Sequence, residues 1–397
     1  MQKYDFIIIG SGIIGLTIAQ AIKNRKQDAK VLILDKESGE AQHASGRNSG
    51  VLHSGFYYTA DSLKAKFTVD GNRAMRAYVK SKGLAINECG KLVVAKDEYE
   101  CGQLLKLLHR GKRNGSNVSL IDEAQVFDID PNVMTFKRAL YSPDTASIDP
   151  KEVCVSLKED LFNVDVTFSF DTKYLGHSNN IILTNQGQFE GGKIINCAGL
   201  YADRVAHDFG FGLKYTMIPF KGLYLKYTKN KSDVNINVYP VPNLRNPFLG
   251  VHFTKTVTGD IKIGPTAIPA FWRENYNSMK GFSFNELAKV LYFESKLYLT
   301  NAFNFRSLVH EEMRKYNKDY FVSLAMSMVK YIDPKGFTEW TKPGIRAQLL
   351  NKQTLSLVQD FVVEGDQKSI HVLNAVSPAF TCSFPFSKYV VDNYVFI

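Results

Sequence analysis

The chain has 397 residues, 45% of them apolar and 22% charged. That mix excludes a mainly disordered, a collagen-like or a disulfide-stapled chain and allows two or three domains. Its 49 Lys plus Arg against 39 Asp plus Glu give a formal charge of +10. The surplus is spread along the chain, and basic residues do not interleave with aromatics on one short segment as a single-strand nucleic-acid groove requires, so a nucleic-acid partner is not expected.

Phe6-Ile7-Ile8-Ile9 is an apolar, β-branched run typical of a buried parallel strand. Gly10-Ser11-Gly12-Ile13-Ile14-Gly15 follows, then a helical stretch to Ile22 and a second apolar run, Val31–Leu34, ending at Asp35. The pattern is strand, helix, strand. Lys64 to Lys82 reads as a helix, Lys91–Ala95 as a short strand and Glu98–Leu108 as a polar amphipathic helix. Asp149-Pro150 opens another helix, with Asp149 as its cap, Pro150 in the first turn and Glu152 three residues from the cap. Asn163–Phe170, Ile181–Thr184 and Lys193–Gly199 read as strands. From Leu213 to about Tyr331 the chain is rich in Tyr, Phe and Pro, and is expected to form an antiparallel sheet with helices over the substrate side. Ile370–Ala375 is a last strand, leading through Ser377-Pro378 into a C-terminal helix.

The apolar stretch Phe6–Ile22 is better explained by a nucleotide-binding strand and helix than by a secretory leader. No run reaches about 18 clearly apolar residues, so no transmembrane helix is expected. The cysteines, Cys89, Cys101, Cys154, Cys197 and Cys382, are odd in number and contain no CxxC. That fits a reducing compartment and gives no expectation of a metal.

Gly10-x-Gly12-x-x-Gly15 between a strand and a helix carries the strongest chemistry. Gly10 permits the tight turn, Gly12 lets backbone approach a pyrophosphate, Gly15 lets helix pack on strand, and the helix N-terminus faces the phosphate charge. Asp35, twenty residues beyond Gly15, is placed to accept ribose hydroxyls, which favours FAD or NAD over NADP. The loop from His43 to Gly55 concentrates glycines, small hydroxyls and backbone donors beside a cofactor. Within it, His53 suits removal of a hydroxyl proton near neutral pH, or else is a buried structural histidine. His252, in a strand-like context, is either a second polar group of the pocket or a core histidine. Arg346, flanked by small residues, is placed to fork onto a carboxylate, whereas Arg273 either joins the site or pairs with Glu274 or another acid. Lys221 and Lys64 are secondary cations.

These residues resemble the D-amino-acid-oxidase-like superfamily of FAD-dependent oxidoreductases, and within it the L-2-hydroxyglutarate dehydrogenase or oxidase family. The resemblance runs nearly end to end: the glycine loop, His43 to Tyr58, Ser62 to Lys66, Cys89-Gly90-Lys91-Leu92, Asn196 to Asp203, Pro219 to Gly222, Tyr239 to Pro242, Pro247 to Thr254, Gly264 to Ala267, Arg273 to Tyr276, Gly344 to Gln348 and Asn374 to Ala379. The chain departs from the family pattern at Arg47, Val376, Phe380 and Ala146.

The resemblance implies an α/β fold. A discontinuous Rossmann-like FAD-binding domain of the D-amino-acid-oxidase type would span 1–85, 145–212 and 340–397, and an α+β substrate domain built on an antiparallel sheet would span 86–144 and 213–339. It implies non-covalent FAD held by Gly10, Gly12, Ile14, Gly15, Asp35, Lys36, Ser45, Arg47, Asn48, Ser49, Gly50, Val51, Gly199, Ser377 and Pro378. It implies hydride transfer from C2 of L-2-hydroxyglutarate to flavin N5, giving 2-oxoglutarate, with His53 as base and Arg346, His252, Lys221, Arg273 and Tyr58 around the substrate. Electrons would pass to a membrane quinone or another acceptor, from a cytoplasmic enzyme in peripheral contact with the inner membrane. The alternative is a related flavoenzyme acting on another L-2-hydroxy acid, or on an amine or amino acid such as sarcosine or glycine.

Overall fold

The computed structural model describes residues 2–242, 248–279 and 281–397. Pro247, which opens one of the quoted motifs, lies outside them. The first strand, Gln2–Ile9, sits between two parallel neighbours, Gly187–Asn196 and Val31–Leu34. Successive residues of the strand feed opposite cores: Phe6 and Ile8 pack with the helix Ile13–Arg25, and Ile7 and Ile9 pack with Leu32, Leu34 and Ile194. Burial on both faces is the reason for the uninterrupted apolar run. Thr167–Ser169 extends this sheet beyond Val31–Leu34, and Ser369–Asn374 pairs parallel with Gly187–Asn196.

The expected elements fold with shifted ends. The helix read from Lys64 spans Leu63–Ser81, that read from Glu98 runs on to Arg113, and the Asp149-capped helix is Pro150–Phe162. Asp149 accepts from the backbone N–H groups of Lys151 and Glu152 at 2.8 and 3.2 Å. Asn163–Phe170 yields only Thr167–Ser169 as strand. Polar Lys193 closes the apolar run on the sequence side, yet the strand begins earlier, at Gly187, because Ile181–Thr184 pairs with its first four residues.

A second eight-stranded sheet runs Phe337–Trp340, Leu225–Tyr227, Ile261–Gly264, His252–Lys255, Asn237–Pro240, Lys91–Val94, Arg138–Ser142, Ser119–Asp122. It is antiparallel except where Asn237–Pro240 and Lys91–Val94 run parallel, joining the two separated substrate-side segments. The strand Gly344–Asn351 lies within the span 340–397 that the resemblance gives to the nucleotide half. It instead pairs along its whole length with Tyr215–Gly222 of the other half, Phe220 opposite Arg346. The boundaries drawn at 212 and 339 therefore fall beside a ladder that crosses between the halves.

The C-terminal helix Ala379–Val390 lies against the helix Leu63–Ser81, with Phe67, Met75, Cys382 and Phe386 in one core. Gly71 is the point of closest approach. A Cβ there would stand 2.2 Å from the carbonyl oxygen of Thr381, whose hydroxyl accepts the backbone N–H of His53 at 3.2 Å. Gly71→Ala is expected to force the helices apart and to destabilise the fold by about 1–3 kcal/mol, an overpacking effect, measurable by denaturant titration.

Candidate active site

Three strand ends converge on a cavity of about 1090 Å³. Gly10 follows the first strand, Asp35 the second, and Cys197-Ala198-Gly199 the third; all line the cavity. Gly10 has φ +112°, and a Cβ would lie 2.5 Å from the Cys197 carbonyl oxygen. A Cβ on Gly15 would lie 2.0 Å from the Gly10 carbonyl oxygen, so Gly15 shapes the turn without lining the cavity. The helix Ile13–Arg25 starts with no side-chain cap of its own. Ser45 supplies one from the next loop, its Oγ accepting from Ile13 N–H at 2.9 Å, and Gly12 leaves the room for it.

The Asp35 carboxylate accepts both the N–H and the hydroxyl of Ser11 at 2.7 Å and holds the lip of the cavity. Lys36 lines the same rim, ion-paired with Glu274 at 2.7 Å and with Glu37. His43, bonded to Glu37 at 2.9 Å, holds that carboxyl down to about 2 together with Lys36. Asn48 ties its own loop, donating to the Ala44 and Ser45 carbonyl oxygens and accepting from Gly50 N–H at 2.8 Å. Gly50 turns the chain at φ +75° behind the cavity, while Ile14, Ser45, Asn48, Ser49, Val51, Gly199, Ser377 and Pro378 line it.

Arg47 also lines the cavity, but its guanidinium is engaged by protein groups, the Pro343 carbonyl oxygen among them. Nε donates to the Gln42 carbonyl oxygen at 2.8 Å, and the group lies 4.3 Å from the Tyr276 ring centroid. Of the other departures from the family pattern, Val376 and Phe380 line the cavity and Ala146 does not.

On the substrate side the structure brings His53 and Arg346 into the cavity wall. His53 is 8% exposed, and its Nδ1 has no hydrogen-bond partner among the described residues. Burial, then the charges of Lys91 and His252, hold its pKa well below the ordinary histidine value, so it is a neutral imidazole at pH 7. Arg346 is half-buried, stacked 4.7 Å from the Phe248 ring centroid, with no ion-pair partner among the described residues. His252 lies one layer back. Its Nδ1 donates to the Gly250 carbonyl oxygen at 2.8 Å and its ring stacks on Tyr239 at 3.6 Å; burial lowers its pKa to about 3. Tyr58 bonds Ser377 beside Arg346, also behind the wall.

Two of the expected substrate cations do not reach the cavity. Arg273 is 2% exposed and forks onto buried Asp203 at 2.5 and 2.9 Å, also donating to the Leu200 carbonyl oxygen. Its acid is therefore neither Glu274 nor a surface group, and its role is to lock the segment after the third strand. Lys221 is half-buried in the crossing ladder opposite Ile345 and is absent from the cavity lining. Tyr224, which sequence reasoning missed, does line the cavity. Its hydroxyl bonds Ser49 and burial raises its pKa to about 12. The available signal was its position two residues beyond the Pro219-to-Gly222 motif.

A family model for FAD dependent oxidoreductases matches residues 5–392. The chain belongs to the FAD-dependent oxidoreductase family. Among curated relatives it is 31% identical to L-2-hydroxyglutarate dehydrogenase of Escherichia coli strain K12, covering 98% of this chain and 93% of that protein. It is 34% identical to L-2-hydroxyglutarate dehydrogenase of Indibacter alkaliphilus, covering 96% of each. The human mitochondrial L-2-hydroxyglutarate dehydrogenase is 33% identical, with 99% of this chain and 89% of that protein covered. Among solved structures, the FAD-bound L-alpha-glycerophosphate oxidase of Mycoplasma pneumoniae superposes with TM-score 0.76 at 21% identity, covering 98% of this chain and 94% of that one. Glycine oxidase of Geobacillus kaustophilus follows the same fold at TM-score 0.69 and 15% identity, covering 99% of this chain and 94% of that one.

The cavity fits FAD on its own terms. The glycine cradle admits no Cβ at Gly10 or Gly15, the helix above it presents its positive end, and the Asp35 carboxylate lines the cavity at the end of the second strand. Gly15→Ala is expected to push the Gly10 carbonyl oxygen into the cavity, and the purified protein should lose most of its flavin absorbance at 450 nm, roughly.

Proposed function

We propose that the protein oxidises L-2-hydroxyglutarate to 2-oxoglutarate and passes the electrons to a membrane quinone or another acceptor. The observation that carries this reading is the pairing, in one cavity wall, of a guanidinium with no ion-pair partner among the described residues, Arg346, with a buried neutral imidazole, His53. FAD, held between the Gly10–Gly12 turn and Asp35, would supply the hydride acceptor for C2. Arg346 holds a substrate carboxylate in the wall, which fixes the direction in which the C2–H bond points. His53 accepts the hydroxyl proton as the hydride leaves, so that a carbonyl forms at C2. Tyr224 and the aromatic layer behind it keep bulk water from competing for that proton. The near full-length likeness to L-2-hydroxyglutarate dehydrogenases supports the choice of hydroxy acid.

Anaerobic mixing with L-2-hydroxyglutarate is expected to bleach the flavin, while the D enantiomer, malate, lactate, sarcosine and glycine leave it oxidised. Bleaching by one of the others alone would move the reading to a different substrate. His53→Asn is expected to slow flavin reduction by roughly 10²–10⁴-fold with FAD content unchanged. A near-normal rate would remove His53 from the chemistry.

Peripheral contact with an anionic membrane is part of the same proposal. No helix among the described residues is long and apolar enough to cross a membrane. The helix Phe284–Thr300 starts beside Ser283 and Glu286 in the cavity rim and exposes Phe284, Leu291, Tyr292 and Leu299 along one side. Its carboxylates Glu286 and Glu294 are buried, whereas Lys296 and nearby Arg306 are exposed. A stripe of apolar side chains with exposed cations beside it suits an anionic lipid surface. Vesicles of phosphatidylglycerol are expected to sediment the protein and neutral vesicles to leave it in solution, and Phe284→Ser with Leu299→Ser to abolish sedimentation while reduction by the substrate persists. Concentration-dependent dimerisation lost in the same variant would assign the stripe to a second copy.

A further inference from the structure

Lys91 opens the strand Lys91–Val94 and is fully buried, 0% exposed, between Ser142 and Asn237 of the neighbouring strands. Its Nζ has no hydrogen-bond partner among the described residues. It lies 4.0 Å from the ring centroid of Tyr239, 5.4 Å from that of Tyr57 and 5.7 Å from that of Phe56. Tyr239 stacks in turn on His252, and Phe56 and Tyr57 follow His53 on its loop. A buried ammonium held against aromatic rings, with no ion-pair partner among the described residues, is unfavourable for folding, since ring quadrupoles replace only part of its hydration.

We propose that Lys91 is a positioning residue for the proton transfer: its caged charge keeps the neighbouring His53 imidazole unprotonated while a dicarboxylate occupies the cavity. The proposal rests on the reading of His53 as the base. Carboxylates brought beside an imidazole favour its protonated form, which cannot accept the hydroxyl proton. The charge of Lys91 acts on the same imidazole and opposes them. The groups whose charge acts on His53 are Lys91 and His252, both bases. Around them stand Tyr57, Tyr58 and Tyr239, with Arg346 in the cavity wall and Lys64 and Cys382 beyond Tyr58; Cys89 is the acid whose charge acts on Lys91. Burial lowers the Lys91 pKa to about 7. Its charge is therefore present below pH 7, the range in which a histidine base is at risk of protonation, and fades above it.

The signs follow. Removing the charge raises the His53 pKa, so the acid limb of the flavin-reduction rate moves to higher pH. Folded Lys91 has a lower pKa than unfolded Lys91, so its penalty on stability is fully present below pH 7 and is lost as pH rises towards the unfolded value. Lys91→Met and Lys91→Gln in the FAD-loaded protein are compared with the unsubstituted protein and with His53→Asn, which also assigns the His53 resonance in histidine-labelled NMR spectra. Both Lys91 variants are expected to move the acid limb, and the His53 titration in the resonance, upward by about one pH unit, a tenfold change in proton concentration. Their rates should converge with the unsubstituted protein above about pH 8, and Lys91→Met should melt higher, more so at pH 6 than at pH 9. An unchanged limb and resonance with a higher melting temperature would overturn the proposal and leave Lys91 idle. A shift in only one of the two variants would ascribe the effect to packing and overturn it equally. Near-normal reduction by His53→Asn would instead overturn the base assignment, and the Lys91 proposal with it.

Discussion

The register of one strand governs the cavity. Ile9 lies opposite both Leu34 and Asn196, so three parallel strands end level with one another. Gly10, Asp35 and Cys197 are therefore the first residues beyond a common edge, and the helix that begins at Ile13 is aimed across it. A slip of one residue would turn Ile7 and Ile9 towards the core that Phe6 and Ile8 now fill, and would separate the three loops. Ser45 uses its hydroxyl to fasten the next loop to this edge, and Asn48 and Arg47 tie that loop to itself. Most of what the sequence offers as cofactor chemistry is thus support for backbone geometry.

The substrate side is built on the opposite logic. Its wall holds charge that has no ion-pair partner among the described residues. Among the described residues Arg346 and Lys91 lie against aromatic rings with no ion-pair partner, whereas the more deeply buried Arg273 is matched by Asp203. The difference separates function from structure. A buried cation with a good acid beside it stabilises a local arrangement, as Arg273 does after the third strand. A buried cation without one lowers stability, and is retained where an anion or a proton is to be handled. His53 and His252 are kept neutral among these cations.

The sequence by itself determined the nucleotide half almost completely. Strand, glycine turn, helix, strand and acid are adjacent in the chain, and each requirement is local: a positive φ at Gly10, no Cβ at Gly15, a carboxylate at the end of Val31–Leu34. Asp149 and Pro150 announced their helix for the same reason. His53 and Arg346 were legible as candidates because of their residue types and small neighbours.

Only the tertiary structure decided which charges are free. Arg273 and Arg346 look alike in sequence, each beside aromatic or small residues. Asp203, seventy positions from Arg273, claims the first, and no acid reaches the second among the described residues. Lys221 was removed from the cavity by a ladder between Tyr215–Gly222 and Gly344–Asn351, and Lys91 was brought behind it by pairing with Asn237. Local sequence fixes conformation through sterics at each residue, but whether a charge has a partner is a property of long-range pairing, and that is settled only when distant strands meet.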